Sequence, residues 1–332
     1  MMMDKKTAIV EKAAWMGYEA VKAESDSLIM TVVPKLGSRV VSIYSKAKQI
    51  ELLRTPQSEE AYSQAPLLYG IPVLFPPNRI EDGRFSYRGQ HYQFDINDTA
   101  TGNHSHGLVH DKEWMVTEMK AGNGQAVIIT EFNAVNDHHV MRQFPHPFRL
   151  VMKLVLEEGM LTQTVEVHND SSQAFPWGIG YHTTFHFPFR EDSSEANSIF
   201  SAPIGQRWEL NCRFLPTGIP VTDTRSGPLN EGIAIAGVQL DDLFQKEPEA
   251  ANEAVLTDKD AGIRVRYMAD EAFGHWVLHN GDGTGRYLCP EPYTCVTNAF
   301  NLKLSPEITG MKEIEPGRSD SATCVITVEH TE

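Results

Sequence analysis

Cysteine is scarce in this chain. Four residues (Cys212, Cys289, Cys295 and Cys324) are spread over 332 positions, with no Cys-x-x-Cys pair. That pattern argues against a disulfide framework and predicts free, buried thiols in a reducing compartment, the cytoplasm. Basic charge is also short. Lys and Arg number 29 against 44 Asp and Glu, for a net charge of -15. Nucleic acid and anionic membrane reward clustered Lys and Arg, so neither is expected as a partner. The first 21 residues carry Asp4, Lys5, Lys6, Glu11 and Lys12 and no apolar core or cleavage site, so no signal peptide is expected. Two stretches, Ala61 to Asn78 and Ser171 to Phe189, lack charge altogether. Pro66, Pro72, Pro76 and Pro77 in the first, and Pro176 with two histidines in the second, argue against spanning helices. No GxGxxG opening a helix, no P-loop lysine, no GxSxG and no paired Cys/His nucleophile signature occurs. Nucleotide cofactors, phosphoryl transfer and serine hydrolysis lose ground accordingly.

Helical periodicity is scarce too. Glu247–Ala254 reads as one short helix and Pro56–Tyr62 as a turn. What is there instead is alternation. Leu150, Met152, Leu154 and Leu156 alternate up to Glu158-Gly159, and Leu161, Val165 and Val167 resume the pattern beyond it. That is a β-hairpin with one buried face. Short strands are also readable at Leu28–Val33, Ser38–Tyr44, Arg84–Phe94, Val127–Phe132, Ile263–Met268, His275–His279 and Thr323–Val328. Strands at this density, broken by Gly, Pro, Asn and Asp, predict an all-β fold, a large antiparallel β-sandwich. Neither Glu191–Asn197 nor Asp241–Ala254 has the look of a linker, and a single domain over residues 1–332 is expected.

Four segments carry titratable side chains in suggestive company. His104, His106 and His110 first suggest a metal site, but a cupin-type site needs a glutamate four or five residues after the second histidine. Here Glu113 stands seven residues on, so no metal is expected. His106 reads instead as a hydrogen-bond donor to a hydroxyl-rich ligand, with Asn103 nearby and Gly107 permitting close backbone approach. A core histidine is the competing reading for His106. Asn78-Arg79 follows Phe75-Pro76-Pro77, so a stiff loop aims the guanidinium; the competing reading pairs Arg79 with Glu81 or Asp82 at the surface. His182 lies in an apolar, glycine-flanked strand, and His186 on the same face competes with it. Glu291 between Pro290 and Pro292 is either a directed carboxylate or a rim residue in a turn. Asp241 and Asp242 form a pair that is usually just solvated.

In this order, the Asn78-Arg79 pair, the Asn103-x-x-His106-Gly107 segment, His182, Asp241 ahead of Phe244, and Glu291 resemble the aldose 1-epimerase (galactose mutarotase) family. The resemblance is strongest over 37–301. It departs from the family pattern at Leu108, where a second glycine is usual, and at Thr183-Thr184-Phe185-His186, where Pro-Tyr-Phe-Asn is usual. It implies the β-supersandwich fold and an isomerase acting on a small sugar, with no metal or redox cofactor. It casts His182 as catalytic acid and Glu291 as catalytic base, with Asn78, Arg79, His106 and Asp241 holding the substrate. The implied chemistry opens and recloses the ring at the anomeric carbon. If each partner stabilises the other's charge, the alkaline limb of the pH profile belongs to His182. Three alternatives stay open: a hexose-6-phosphate 1-epimerase recruiting Arg84 or Arg88, a non-catalytic carbohydrate-binding sandwich, and a carboxylate–histidine lyase. The sugar is left open, as is the choice between monomer and homodimer.

Overall fold

A computed structural model describes residues 7–331. Three antiparallel sheets account for most of it. Five strands from Ile9–Trp15 to Ile50–Glu51 form a meander. Nine strands form the largest sheet, running from Met115–Gly122 through Gln125–Asn133, Phe148–Glu157, Met160–Asn169, Ser319–His330, Ile263–Ala269 and Glu253–Asp258 to Ser198–Ser201 and Ile233–Ala234. Seven more form the sheet that carries the site. Along it lie Ile204–Trp208, Asp241–Lys246, His275–His279, Tyr287–Tyr293, Gly180–Tyr181 and Val73–Leu74, with Phe185–His186 pairing onto Tyr287–Tyr293.

The period-two pattern sets the packing. Leu150, Met152, Leu154 and Leu156 are fully buried along Phe148–Glu157, and Leu161, Val165 and Val167 do the same on the next strand. Each such side chain contributes roughly 1.5–3 kcal/mol by leaving water. The seven-stranded sheet applies the same parity in two directions. Phe244, Trp276 and Leu278 point into the main core, where Trp276 meets Tyr267 of the nine-stranded sheet edge-on at 5.9 Å. Their neighbours in sequence therefore face the other way, on the same face as Asp241, His279 and Glu291.

Several expectations are corrected. Glu247–Ala254 is not a helix: its N-terminal part is turn and its last two residues open the strand Glu253–Asp258. Alternating burial of Ala254, Leu256 and Asp258 against the core outweighs its helix-prone composition. Pro56–Tyr62 reads as a turn but passes into a helix, Glu59–Gln64, because Ser58 caps it by accepting from the Ala61 N–H. Arg84–Phe94 is two strands rather than one, Arg84–Tyr87 and Gln90–Gln93, folded back at Arg88-Gly89. No helix in the described residues is long and apolar enough to cross a membrane.

Candidate active site

One wall is built by two loops clamped together. The Arg79–Ile80 strand pairs with His104–Ser105. The His106 N–H donates to the Asn78 carbonyl at 2.9 Å, and the Leu108 N–H to that of Phe75 at 2.9 Å. Asn78, His106 and Gly107 all sit in the left-handed region, at φ 54°, 64° and 73°. At Gly107 this is obligatory, since a Cβ there would lie 2.3 Å from the Phe75 carbonyl oxygen. Strained, non-glycine conformations held in this way concentrate at ligand sites. The Arg79 Nε donates to Asp98 at 2.9 Å, and its Nη1 lies 3.4 Å from the Asn78 side-chain oxygen. Arg79 is therefore not the surface partner of Glu81 and Asp82, which lie 3.5 and 2.7 Å from Arg213 instead.

The facing wall is the outer face of the seven-stranded sheet. Register pairs Leu243 with Val277 and Val277 with Glu291; one step along, it pairs Asp241 with His279 and His279 with Cys289. Cα partners share a face, so Asp241, His279, Cys289 and Glu291 all look the same way. Glu291 is thus mid-strand and 1% exposed, not a rim residue in a turn. His182, whose N–H donates to the Pro72 carbonyl at 3.1 Å, faces it with Nε2 3.3 Å from Glu291 Oε1. The ring of His106 lies 5.5 Å from that of His182. Asn78, His106, His182 and Glu291 come together, and Arg79 is held beside them by Asn78.

Parity also separates the two aspartates. Asp241 shares the Glu291 face and bonds His279 Nδ1 at 3.3 Å. Asp242 faces the opposite way and is held bidentately by Arg225 at 2.9 and 2.8 Å. His186 lies outside this cluster, 3.8 Å from Glu191.

Two polar residues of the cluster escape the sequence reading. The Tyr293 hydroxyl donates to Glu291 Oε2 at 2.6 Å and accepts from Asn78 Nδ2 at 3.4 Å. His279 links Asp241 to His182, with ring centroids 6.3 Å apart. Both lie on the Glu291 face of their strands, which becomes apparent only once His275–His279 and Tyr287–Tyr293 are set in register.

Burial dominates the electrostatics. It pushes the Glu291 carboxyl well above its ordinary range, aided by Asp241 and opposed by the Tyr293 bond and Arg79. Burial lowers His182 to about 3, with His279 pushing the same way, and lowers His106 well below its ordinary value. The Tyr293 hydroxyl is held well above 10 and stays protonated. Both shifts favour the neutral forms of the pair, a protonated Glu291 and an unprotonated His182. Because Oε2 accepts from Tyr293, the carboxyl oxygen left to face His182 Nε2 is Oε1. Burial and mutual charge stabilisation oppose each other here, a balance the sequence leaves open, and burial is the larger.

His104, His106 and His110 do not converge. His104 Nδ1 lies 2.7 Å from the Asp95 carbonyl, and the carbonyl of His110 accepts from Arg39 at 3.1 Å. Among the described residues, the group with metal-ligand geometry is His182, Cys289 and Glu291. Arg84 and Arg88 are spent on an exposed hairpin, bonded to Gln93 and to Glu313 and Glu315.

Known proteins share this architecture over nearly the whole chain. The chain is similar to a galactose mutarotase-like protein from Clostridium acetobutylicum, with 28% identity, a TM-score of 0.92, and coverage of 98% of this chain and 99% of that one. It shares the fold of a putative aldose 1-epimerase from Escherichia coli K12, at 16% identity, TM-score 0.73, and 97% and 99% coverage. It is also 28% identical over 244 residues to YihR, an uncharacterized protein of Escherichia coli K12, spanning 72% of this chain and 74% of that protein. The sequence profile of aldose 1-epimerases matches residues 19–327, and the chain belongs to the aldose 1-epimerase family.

Proposed function

We propose that this protein is a mutarotase, interconverting the α and β anomers of a free aldose by proton transfer between His182, Glu291 and the sugar. The observation that carries the reading is the buried His182–Glu291 pair at 3.3 Å, with burial favouring the neutral form of each. Ring opening needs one proton removed from the anomeric hydroxyl and one delivered to the ring oxygen. A sugar hydroxyl bonded to Glu291, replacing water, favours the carboxylate and passes the pair's proton to His182. Glu291 then takes the hydroxyl proton as His182 protonates the ring oxygen and the carbon–oxygen bond breaks. The pair is left as it stands in the free pocket, with Glu291 protonated and His182 neutral. After the aldehyde rotates, the same steps run in reverse on its other face.

Tyr293, itself oriented by Asn78, steadies Glu291 as its charge changes. Neutral His106, Arg79 and Asp241 hold hydroxyls and place the ring, which contributes through orientation. No step calls for a metal or redox cofactor. Metal-ion removal should accordingly leave the rate unchanged.

A second reading, a sugar bearing an anionic group such as a phosphate, is favoured by one residue. The Arg54 guanidinium stacks between Tyr69 and Tyr287, with centroid distances of 4.9 and 4.4 Å, and has no ion-pair partner among the described residues. Tyr287 in turn stacks 6.1 Å from His279. Polarimetry on a panel of neutral and phosphorylated aldoses tests both readings. Acceleration of at least one sugar well beyond the buffer rate supports mutarotation. No response from the whole panel removes the enzyme reading in favour of a binding sandwich. We place the protein in the cytoplasm as a monomer or homodimer, in keeping with its free cysteines.

A further inference from the structure

Cys289 has no part in the proton transfers, yet it stands in their midst. It is fully buried, two residues before Glu291 on the same face of the strand, and its Sγ lies 3.3 Å from the Thr184 hydroxyl. One donor atom each from His182, Cys289 and Glu291 lies within 4.8 Å of the others. We propose that Cys289 converts the acid–base pair into a three-ligand site for a thiophilic divalent cation, zinc(II) above all, whose binding shuts the sugar out.

The donor set favours that class of ion. Imidazole, thiolate and carboxylate together suit zinc, whereas magnesium and calcium call for oxygen ligands alone. Metal–ligand bonds of roughly 2.0–2.3 Å put neighbouring donors of a tetrahedral site roughly 3.2–3.8 Å apart. The His182–Glu291 separation of 3.3 Å already fits, and ligation would draw Sγ in from within 4.8 Å at the cost of its Thr184 contact. Oε1 is the carboxylate oxygen not engaged by Tyr293, and the other ring nitrogen of His182 is buried without a hydrogen-bond partner. Binding replaces the protons of the Cys289 thiol and the Glu291 carboxyl, which leave to solvent. A three-ligand site keeps its fourth position open, here toward the space the sugar would use. The ion would thus be an inhibitor, occupying both groups that must exchange protons.

Inhibition rests on the mutarotase reading, whereas metal binding does not, and the test separates them. Cobalt(II) chloride is added to protein carrying Cys212→Ser, which removes the exposed thiol, with and without Cys289→Ser. A thiolate-to-cobalt charge-transfer band that appears only where Cys289 is present is the expected result, and it decides the site even if no sugar responds. Zinc chloride is then titrated into the mutarotation assay, each variant measured against its own zinc-free rate. Cys289→Ser should raise the half-inhibitory zinc concentration at least tenfold, and a chelator should restore the wild-type rate. Absence of a Cys289-dependent band, or equal zinc sensitivity with and without Cys289, overturns the proposal.

Discussion

In the proposed reaction Glu291 and His182 exchange protons with the sugar, and their titration tests those roles. On that proposal, the acid limb of kcat/KM should be the arrival of a second proton as pH falls through the value of about 3 to which burial lowers His182. The alkaline limb should be the loss of the pair's remaining proton as pH rises through the raised Glu291 value. Both belong to the pair rather than to either residue alone. A plateau between them is expected, wider on its acid side than an unperturbed histidine near ~6.5 would give. An alkaline limb that survives Glu291→Gln unchanged in the residual activity would falsify this assignment. Sequence could not choose between these outcomes, because desolvation is a property of the packed site. The site residues themselves were legible mainly through the order of their motifs. Tyr293 was not: no feature of a lone tyrosine two residues past a glutamate announces that its hydroxyl will reach back to the carboxylate. His279 was hidden for a related reason, since its partner Asp241 is distant in sequence and adjacent only by register.

At the scale of elements, the clamp between the Phe75–Arg79 loop and the His104–Gly107 segment positions half the pocket. Gly107 is its tightest point, where a methyl group meets the Phe75 and Pro76 carbonyls. Gly107→Ala should lower stability by roughly 1–3 kcal/mol, the usual cost of such backbone strain, and reduce kcat/KM by displacing His106. Denaturant midpoints and kinetics on the same preparation check both effects, and a variant unchanged in both removes the clamp from the explanation. Strands with one clean buried face, such as Phe148–Glu157, were readable because alternation is imposed by the core. Glu247–Ala254 reads as a helix because its polar, alanine-rich sequence suits one in isolation, and only the pairing of Glu253 and Ala254 with Met268 and Tyr267 draws its end into a strand. The strand around Glu291 was obscured by Pro290 and Pro292, which depress strand propensity. Both prolines belong to the opposite face, leaving the Glu291 backbone to the ladder.

Across the whole molecule, buried histidines set the response to acid. His110, His146 and His275 are lowered to about 4 and His182 to about 3, chiefly by burial. Between the unfolded value near ~6.5 and those folded values, the unfolded chain binds more protons, so stability falls as pH falls. Glu51, Asp270 and Glu291, raised by burial, work in the opposite sense above their ordinary range, but the histidines outnumber them. Thermal unfolding should therefore shift to lower temperature between pH 7 and pH 4. A midpoint that rises over that range contradicts the burial argument. One hydrophobic cluster links residues from Val21 to Val328, and we expect those transitions to be single and cooperative, as for one domain.

The central claim, that one proton shared by His182 and Glu291 opens the sugar ring, is tested most directly by the exchange rate between α and β anomers at equilibrium, measured by NMR. Wild-type protein should exchange a responsive sugar well above the buffer rate. His182→Asn and Glu291→Gln should each lower kcat by about a hundredfold or more, with the double variant well short of the product because the pair acts as a unit. Near-normal exchange in either single variant would contradict it.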